Sequence, residues 1–318
     1  MPRVDELRLI VRIARMYYEW GMRQTEIADQ LGLSQSTVSR LLDRARKDGV
    51  IRFSIASFPG VYAELEETLI QKFGLRDAIV VETLNDHDEK LIQRDIGSAA
   101  AYYLETAIRP HEIIGISSWS STLLAVADAM HPAPRKTGVK VVQILGGVGN
   151  PAAEVHALRL TNRFADLVGG SAVFLPAPGI VGSEAALQAL LNDAYIQEAL
   201  ALFESVTTAL VGIGAVEPSK LLAESGNIFS AQELELLRRC GAVGDVLLRF
   251  FDANGRPVQA PLEKRVISMS LEQLRKVDRA VGVAGGRRKF EAILGALRGG
   301  WINILITDHH TALRLEKV

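Results

Sequence analysis

Cysteine is almost missing: Cys240 is the single one in 318 residues. An intrachain disulfide is therefore excluded, which suits a reducing cytoplasm. Long apolar runs are also missing. Nothing approaches the roughly 18 consecutive apolar residues of a membrane-spanning helix. The opening MPRVDELRLIVRIARMYYEW is too charged for the apolar core of a secretory signal, so a cytoplasmic location is expected. Excess charge is small: the net is −1, which argues against a strongly basic or acidic chain. Histidine is scarce, with six in all. His309-His310 follows Asp308 without partner Asp/His motifs elsewhere, so neither a metal nor another cofactor is expected. Cys240 has no paired histidine and reads as a small buried hydrophobe. No Ser-His-Asp arrangement can be assigned, and no catalytic residue is named.

What is present divides in two. The length favours two domains, and 48% hydrophobic with 23% charged residues supports a full globular core. Residues 1–57 carry 10 Lys/Arg against 7 Asp/Glu, whereas the remainder carries 26 against 30. The N-terminal part thus leans weakly towards an anionic partner.

In that part, Leu7, Ile10, Val11, Ala14 and Tyr17/Tyr18 recur at the spacing of an amphipathic helix that Gly21 ends. A second helix is expected from Gln24–Thr25, with Thr25 as its cap, to Leu31. Gly32 then makes a tight turn. Ser34 caps a third helix from Gln35 to about Lys47, closed by Gly49. Ile27, Ala28, Leu31, Leu33, Val38, Leu41 and Leu42 face inward. Gln35, Ser36, Thr37, Ser39 and Arg40 are left outward, where a helix meets base edges and phosphates in a major groove. Arg44 joins this basic face. VIRFSIAS, Val50–Ser57, alternates like the strand of a wing, with Arg52 near a phosphate.

After a linker at Phe58–Pro59–Gly60 the pattern becomes helices alternating with apolar strands. Helices are expected at Tyr62–Phe73, Asp88–Thr106, Leu123–Ala129, Ala152–Ala165 and Glu184–Leu191. Strands are expected at Asp77–Glu82, Glu112–Ser117, Val139–Leu145, Ala172–Leu175, Thr208–Ile213 and Ile302–Thr307. That alternation predicts an α/β fold with a mainly parallel, Rossmann-like sheet covered on both faces. Ligands of such sheets sit beyond the carboxyl ends of the strands. There Ser117–Thr122 offers four serines and a threonine among six residues, more hydroxyls than helix capping needs, and suited to an anion. Gly146-Gly147, Pro176-Ala177-Pro178 and Gly212-Ile213-Gly214 end other strands. Lys289 opens a later helix as a phosphate contact. Asp245 and Asp252 either accept hydrogen bonds from sugar hydroxyls or cap the turn at Asn254-Gly255.

Taken in order, YYEWGMRQTEIADQLGLSQSTVSRLLDRARKDGVI, GISSWSSTL, VVQILGG, GDVLLRFFDANGRPV and AGGRRKFEAILGALRGGWINILITD resemble the SorC (sugar-binding) family of bacterial transcription regulators along almost the whole chain. The resemblance implies a winged helix-turn-helix over 1–57, a linker at 58–61 and an effector domain over 62–318. That domain is similar to sugar-phosphate isomerase and deaminase folds. The implied partners are operator DNA, a phosphorylated sugar or polyol, and further copies of the chain in a dimer or tetramer. Carried over, the phosphate loop falls on Ser118, Ser120, Ser121 and Thr122. Lys289 falls on a basic ligand contact, and Asp245 on a sugar-facing acid. Ser120 stands where many members have glycine. Leu145 stands where some have lysine, which removes covalent imine capture. The alternative is a sugar-phosphate isomerase or deaminase carrying a DNA-targeting module, which needs a general base with a shifted pKa.

Overall fold

The computed structural model describes residues 4–51, 58–133, 135–147, 160–218 and 230–318. Its contacts divide the chain into a unit ending at Phe58 and a second running from Pro59 to Val318.

In the first unit, α1 (Val4–Tyr18), α2 (Gln24–Leu31) and α3 (Gln35–Lys47) follow one another. Gly32 adopts φ 63°, the left-handed geometry that costs a side-chain-bearing residue about 1–2 kcal/mol. The turn between α2 and α3 therefore selects glycine. Ile13, Met16, Ile27, Ala28, Val38 and Leu42 form one cluster, with Leu31, Leu33 and Leu41 against its edge. Ile10, Ala14 and Ala45 form a second. Two expectations change. Thr25 does not cap α2: the Arg23 N–H donates to Glu26 Oε2 at 2.8 Å, and Thr25 is exposed in the first turn. Leu7 and Val11 do not join the core, being 40% and 38% exposed. Of the segment expected as a wing, Val50 and Ile51 pack against the second cluster, and 52–57, Arg52 included, lie outside the described residues.

The second unit holds a seven-stranded sheet in which every pairing is parallel. Its strands are β1 (Asp77–Val81), β2 (Ile113–Ile116), β3 (Lys140–Gln143), β4 (Ser171–Val173), β5 (Thr208–Gly212), β9 (Arg279–Val283) and β10 (Ile304–Asp308). They lie in the order β1-β10-β9-β5-β2-β3-β4. Apolar residues on both faces explain the near-continuous burial of β5, β9 and β10. One face packs Ile92, Ile96, Ala100 and Leu104 of α5 (Glu89–Ala107) and Leu123 and Val126 of α6 (Ser121–Ala129). The other packs α4 (Ala63–Phe73), α11 (Phe290–Gly299) and α12 (His309–Glu316). At the sheet's far end, Arg279 is pinned by Glu112, the Ala107 carbonyl and Thr208.

The sequence pattern missed β9, whose RAVGV begins with an arginine and contains a glycine. It also missed most of a small antiparallel sheet of β6 (Gly214–Ala215), β7 (Ala242–Val246) and β8 (Arg249–Asp252). The helix expected at Ala152–Ala165 lies partly outside the described residues; 160–167 is helical. From β2 the chain moves to β3 and β4 on one side, and β5 then pairs on the other. This reversal opens a crevice between the carboxyl ends of β2 and β5.

Candidate functional site

The first unit presents a helix built to face outward. The Ser34 hydroxyl accepts the Thr37 N–H at 3.2 Å, fixing the start of α3. It also lies 2.9 Å from the Ser36 hydroxyl and 2.8 Å from that of Thr37. Burial of Val38, Leu42 and Ala45 turns Gln35, Ser36 and Arg40 to solvent, with Thr37 and Ser39 half-buried. Arg40 Nη2 donates to Thr37 Oγ1 at 3.4 Å. Arg44 is placed differently. It pairs with Glu6 of α1 and, at 3.2 Å, with Asp48. These partners hold its pKa above the ordinary value, and its guanidinium ties α3 to α1. Arg46 makes a second tie, donating to the Tyr18 hydroxyl at 2.8 Å.

In the second unit the crevice between β2 and β5 is a cleft of about 580 Å³, counting its open mouth. Ser117, Trp119, Ser120 and Ser121 line one side, and Gly212, Ile213 and Gly214 another. Asp245, Leu247, Leu248, Glu217, Arg288 and Lys289 complete the wall. The Ser120 hydroxyl accepts the Leu123 N–H at 3.3 Å and caps α6. The hydroxyl and free amides at this helix start sit at the mouth of the dipole. Asp245 packs on Gly214, where any Cβ would collide with its carboxylate.

Burial pushes the Asp245 carboxyl up to about 6, against a hydrogen bond from the Leu248 amide and the charge of Lys289. Burial, reinforced by Arg288, brings Lys289 down to about 8. Arg288 is held by Glu89 at 2.7 Å, and Glu217 in turn accepts Arg238 at 2.7 Å.

Not every expected residue faces this cleft. Ser118 is buried, and its hydroxyl donates to the Leu145 carbonyl at 2.7 Å. The Trp119 indole donates to the Gly146 carbonyl at 3.0 Å. Thr122 is buried inside α6. Gly146 also donates its N–H to the Ile267 carbonyl, and Gly147 bridges Pro178. Ser118, Thr122, Gly146 and Gly147 form the support behind the cleft, whereas Trp119 and Leu145 line it. Asp252 accepts the Asn254 and Arg256 amides at 2.9 Å; of its two readings, the structure shows the turn cap. The sequence reading missed Arg288, Glu217 and the Leu247–Leu248 turn. Arg288 adjoins Lys289 in the basic run Arg287–Lys289, which was the available signal. The other two carried none.

Among the described residues, no three or more His, Cys, Asp or Glu side chains cluster to hold a metal. No described helix is long and apolar enough to cross a membrane.

Comparison with known proteins bears on both units. Residues 60–315 match the family model described as "Putative sugar-binding domain", and residues 5–53 match a homeodomain-like domain. The deoxyribonucleoside regulator of Bacillus subtilis (strain 168) is 32% identical over 311 residues, 98% of each chain. The sorbitol operon regulator of Klebsiella pneumoniae is 30% identical over 321 residues, 100% of each chain. The crystal structure of that full-length regulator, SorC, is similar with a TM-score of 0.74 at 29% identity, covering 99% of this chain and 100% of the other. A helix-turn-helix unit followed by a sugar-binding sheet unit, matched end to end, places the chain in the SorC family of sugar-binding transcriptional regulators.

Proposed function

We propose that this regulator reads an operator with α3 and is controlled by a phosphorylated sugar or polyol held between the ends of β2 and β5. The supporting observation is the convergence in one cleft of three kinds of group. Ser120 and Ser121 stand at a helix N-terminus, Arg288 and Lys289 are cationic, and Asp245 is a buried carboxyl. The helix start and the cations suit a phosphate. The carboxylate accepts hydrogen bonds from sugar hydroxyls. Residues 62–318 then act as the effector domain, 1–57 as the DNA-binding domain, and 58–61 as the connection.

The effector works by differential affinity. It binds one arrangement of a homo-oligomer better than another, shifts their populations, and changes the spacing of paired α3 helices on two half-sites. A cytoplasmic location follows from operator binding.

The test is a thermal-shift series with sugar phosphates, free sugars and polyols. A ligand that binds only the native state raises the melting temperature by mass action. Phosphorylated ligands are expected to shift it and Lys289→Met to abolish the shift; shifts by free sugars alone overturn the phosphate assignment.

One observation favours a second reading. An acid near 6 and an amine near 8 are poised for general acid–base chemistry. The relatives are named as regulators, which favours a receptor that does not turn its ligand over. Isomerisation or deamination of the bound sugar phosphate by the purified chain decides for the enzyme.

A further inference from the structure

The basic run Arg287–Lys289 forms one short helical turn between β9 and α11, and its three cations are held differently. Arg287 donates to Asp86 Oδ2 at 3.0 and 2.7 Å. Arg288 forks onto the next acid: Nε donates to Glu89 Oε1 at 2.7 Å and Nη2 to Glu89 Oε2 at 3.2 Å. Lys289 feels Glu89 and Asp245 only as charges through space. Asp86 and Glu89 stand at the start of α5, whose first residue is Glu89. Of the three cations, Arg288 and Lys289 line the cleft and Arg287 does not.

Arg288 is therefore a cation of the wall whose fork is filled by a carboxylate of the chain itself. Two parallel N–H donors on two oxygens is also the way a guanidinium grips phosphate. The hydrogen bonds from Arg288 hold the Glu89 carboxyl below its ordinary value, so it is ionised at neutral pH. The other contact of the guanidinium is slight, from Nη1 to the Glu217 carbonyl at 3.5 Å, and the Glu217 carboxylate is taken by Arg238. The side chains of Arg288 and Glu89 are 38% and 45% exposed. An ion pair so open to water is weak and screened by salt, so a better anion displaces it. A phosphate dianion brings more charge and a third acceptor oxygen.

We propose that Glu89 is an internal competitor of the effector's phosphate: its carboxylate holds the Arg288 fork, and the phosphate takes that fork over on binding. The exchange taxes affinity, because the binding-competent Arg288 is only a fraction of the total. A residue outside the cleft wall thus sets the effector concentration to which the regulator responds. It also loosens one of two ties between the basic turn and α5, leaving Arg287 on Asp86. The inference rests on the phosphate reading of the cleft and adds a residue that weakens it.

The test is calorimetric titration of the full-length chain with inorganic phosphate at neutral pH and constant ionic strength. Reductant is present because Cys240 is exposed, and only binding that Lys289→Met removes is counted. Glu89→Gln keeps the shape of the side chain and is expected to tighten phosphate roughly two- to fivefold, the strength of an exposed pair. Asp86→Asn takes the same charge from the same stretch but frees Arg287, and is expected to gain less. In an Arg288→Met background Glu89→Gln is expected to gain nothing, since the two act through one contact. Equal affinity of the native and Glu89→Gln chains overturns the proposal and leaves the phosphate reading standing. An undiminished gain in Arg288→Met, or an equal gain from Asp86→Asn, also overturns it, reducing Glu89 to a distant charge. No phosphate binding by either the native or the Glu89→Gln chain overturns both readings.

Discussion

The carboxylate of Asp245 accepts the Leu248 amide hydrogen at 3.0 Å. The bond closes a two-residue turn between β7 and β8 in which Leu247 and Leu248 have φ of 57° and 61°. Turns of this hand favour Asn-Gly, and each leucine is strained by about 1–2 kcal/mol. Both side chains are buried, at 3% and 2% exposure, which stabilises by roughly 1.5–3 kcal/mol apiece. Burial outweighs strain, and the acid of the cleft fastens the strained turn.

That balance reverses a familiar ranking. Leu248→Ala keeps the strain and loses the packing, so it is expected to cost about 2–5 kcal/mol in urea unfolding. Leu248→Gly loses the same packing but removes the strain. It is expected to be more stable than the alanine variant by about 1 kcal/mol. Alanine equal to or better than glycine would show that the turn is unstrained.

Stability should follow the two shifted groups in the cleft with opposite signs. The carboxyl of Asp245 rises from 3.8 to about 6, so between those values the native chain holds a proton that the unfolded chain releases. Stability therefore falls as pH rises through that window, by an amount on the order of 2–3 kcal/mol. Lys289 falls from 10.5 to about 8. Between those values the unfolded chain holds the extra proton, and stability rises with pH. Asp245→Asn should flatten the acidic slope and, because the Asp245 carboxylate raises Lys289, extend the alkaline one to lower pH, as read from urea midpoints across pH.

Ser118 and Ser121 lie three residues apart and should separate support from binding. Ser118→Ala leaves the buried Leu145 carbonyl without its donor and is expected to cost about 1–3 kcal/mol of stability. Ser121→Ala is expected to leave stability nearly unchanged and to weaken the sugar phosphate identified by thermal shift. The opposite assignment of the two losses would place the phosphate at Ser118.

On the DNA side, Arg40→Ala is expected to lower operator affinity and, if the arginine meets a phosphate, to reduce the salt slope by about 1. Arg44→Ala is expected to lower the thermal stability of the first unit, because its partners are Glu6 and Asp48. An unchanged melting temperature with a reduced salt slope for Arg44→Ala would make it a phosphate contact instead.

Local chemistry carried much of this molecule into view from the chain alone. Ser34 at a cap, Gly32 at a left-handed turn and the inward spacing of Ile27, Val38 and Leu42 depend on neighbours a few residues away. The periodicity of the apolar strands likewise fixed a mainly parallel sheet, and the dense hydroxyls of Ser117–Thr122 marked its mouth. Each of these features is set within one or two turns of chain, so the sequence by itself determined them.

Only the tertiary structure decided which groups of that mouth face a ligand. Ser118 turns away because the Leu145 carbonyl, 27 residues distant, needs a donor. Gly146, Gly147 and Pro178 support the cleft from behind because bridges join them to each other and to 267–268. Leu247, Leu248 and Arg288 enter the wall because β7 and the start of α11 fold against the ends of β2 and β5. Leu7 and Val11 fit a core pattern but remain outside it, since Ile10, Ile13 and Ala14 already fill the space against α3. Partners separated by tens of residues, and competition for a core of finite volume, leave no local trace in a sequence.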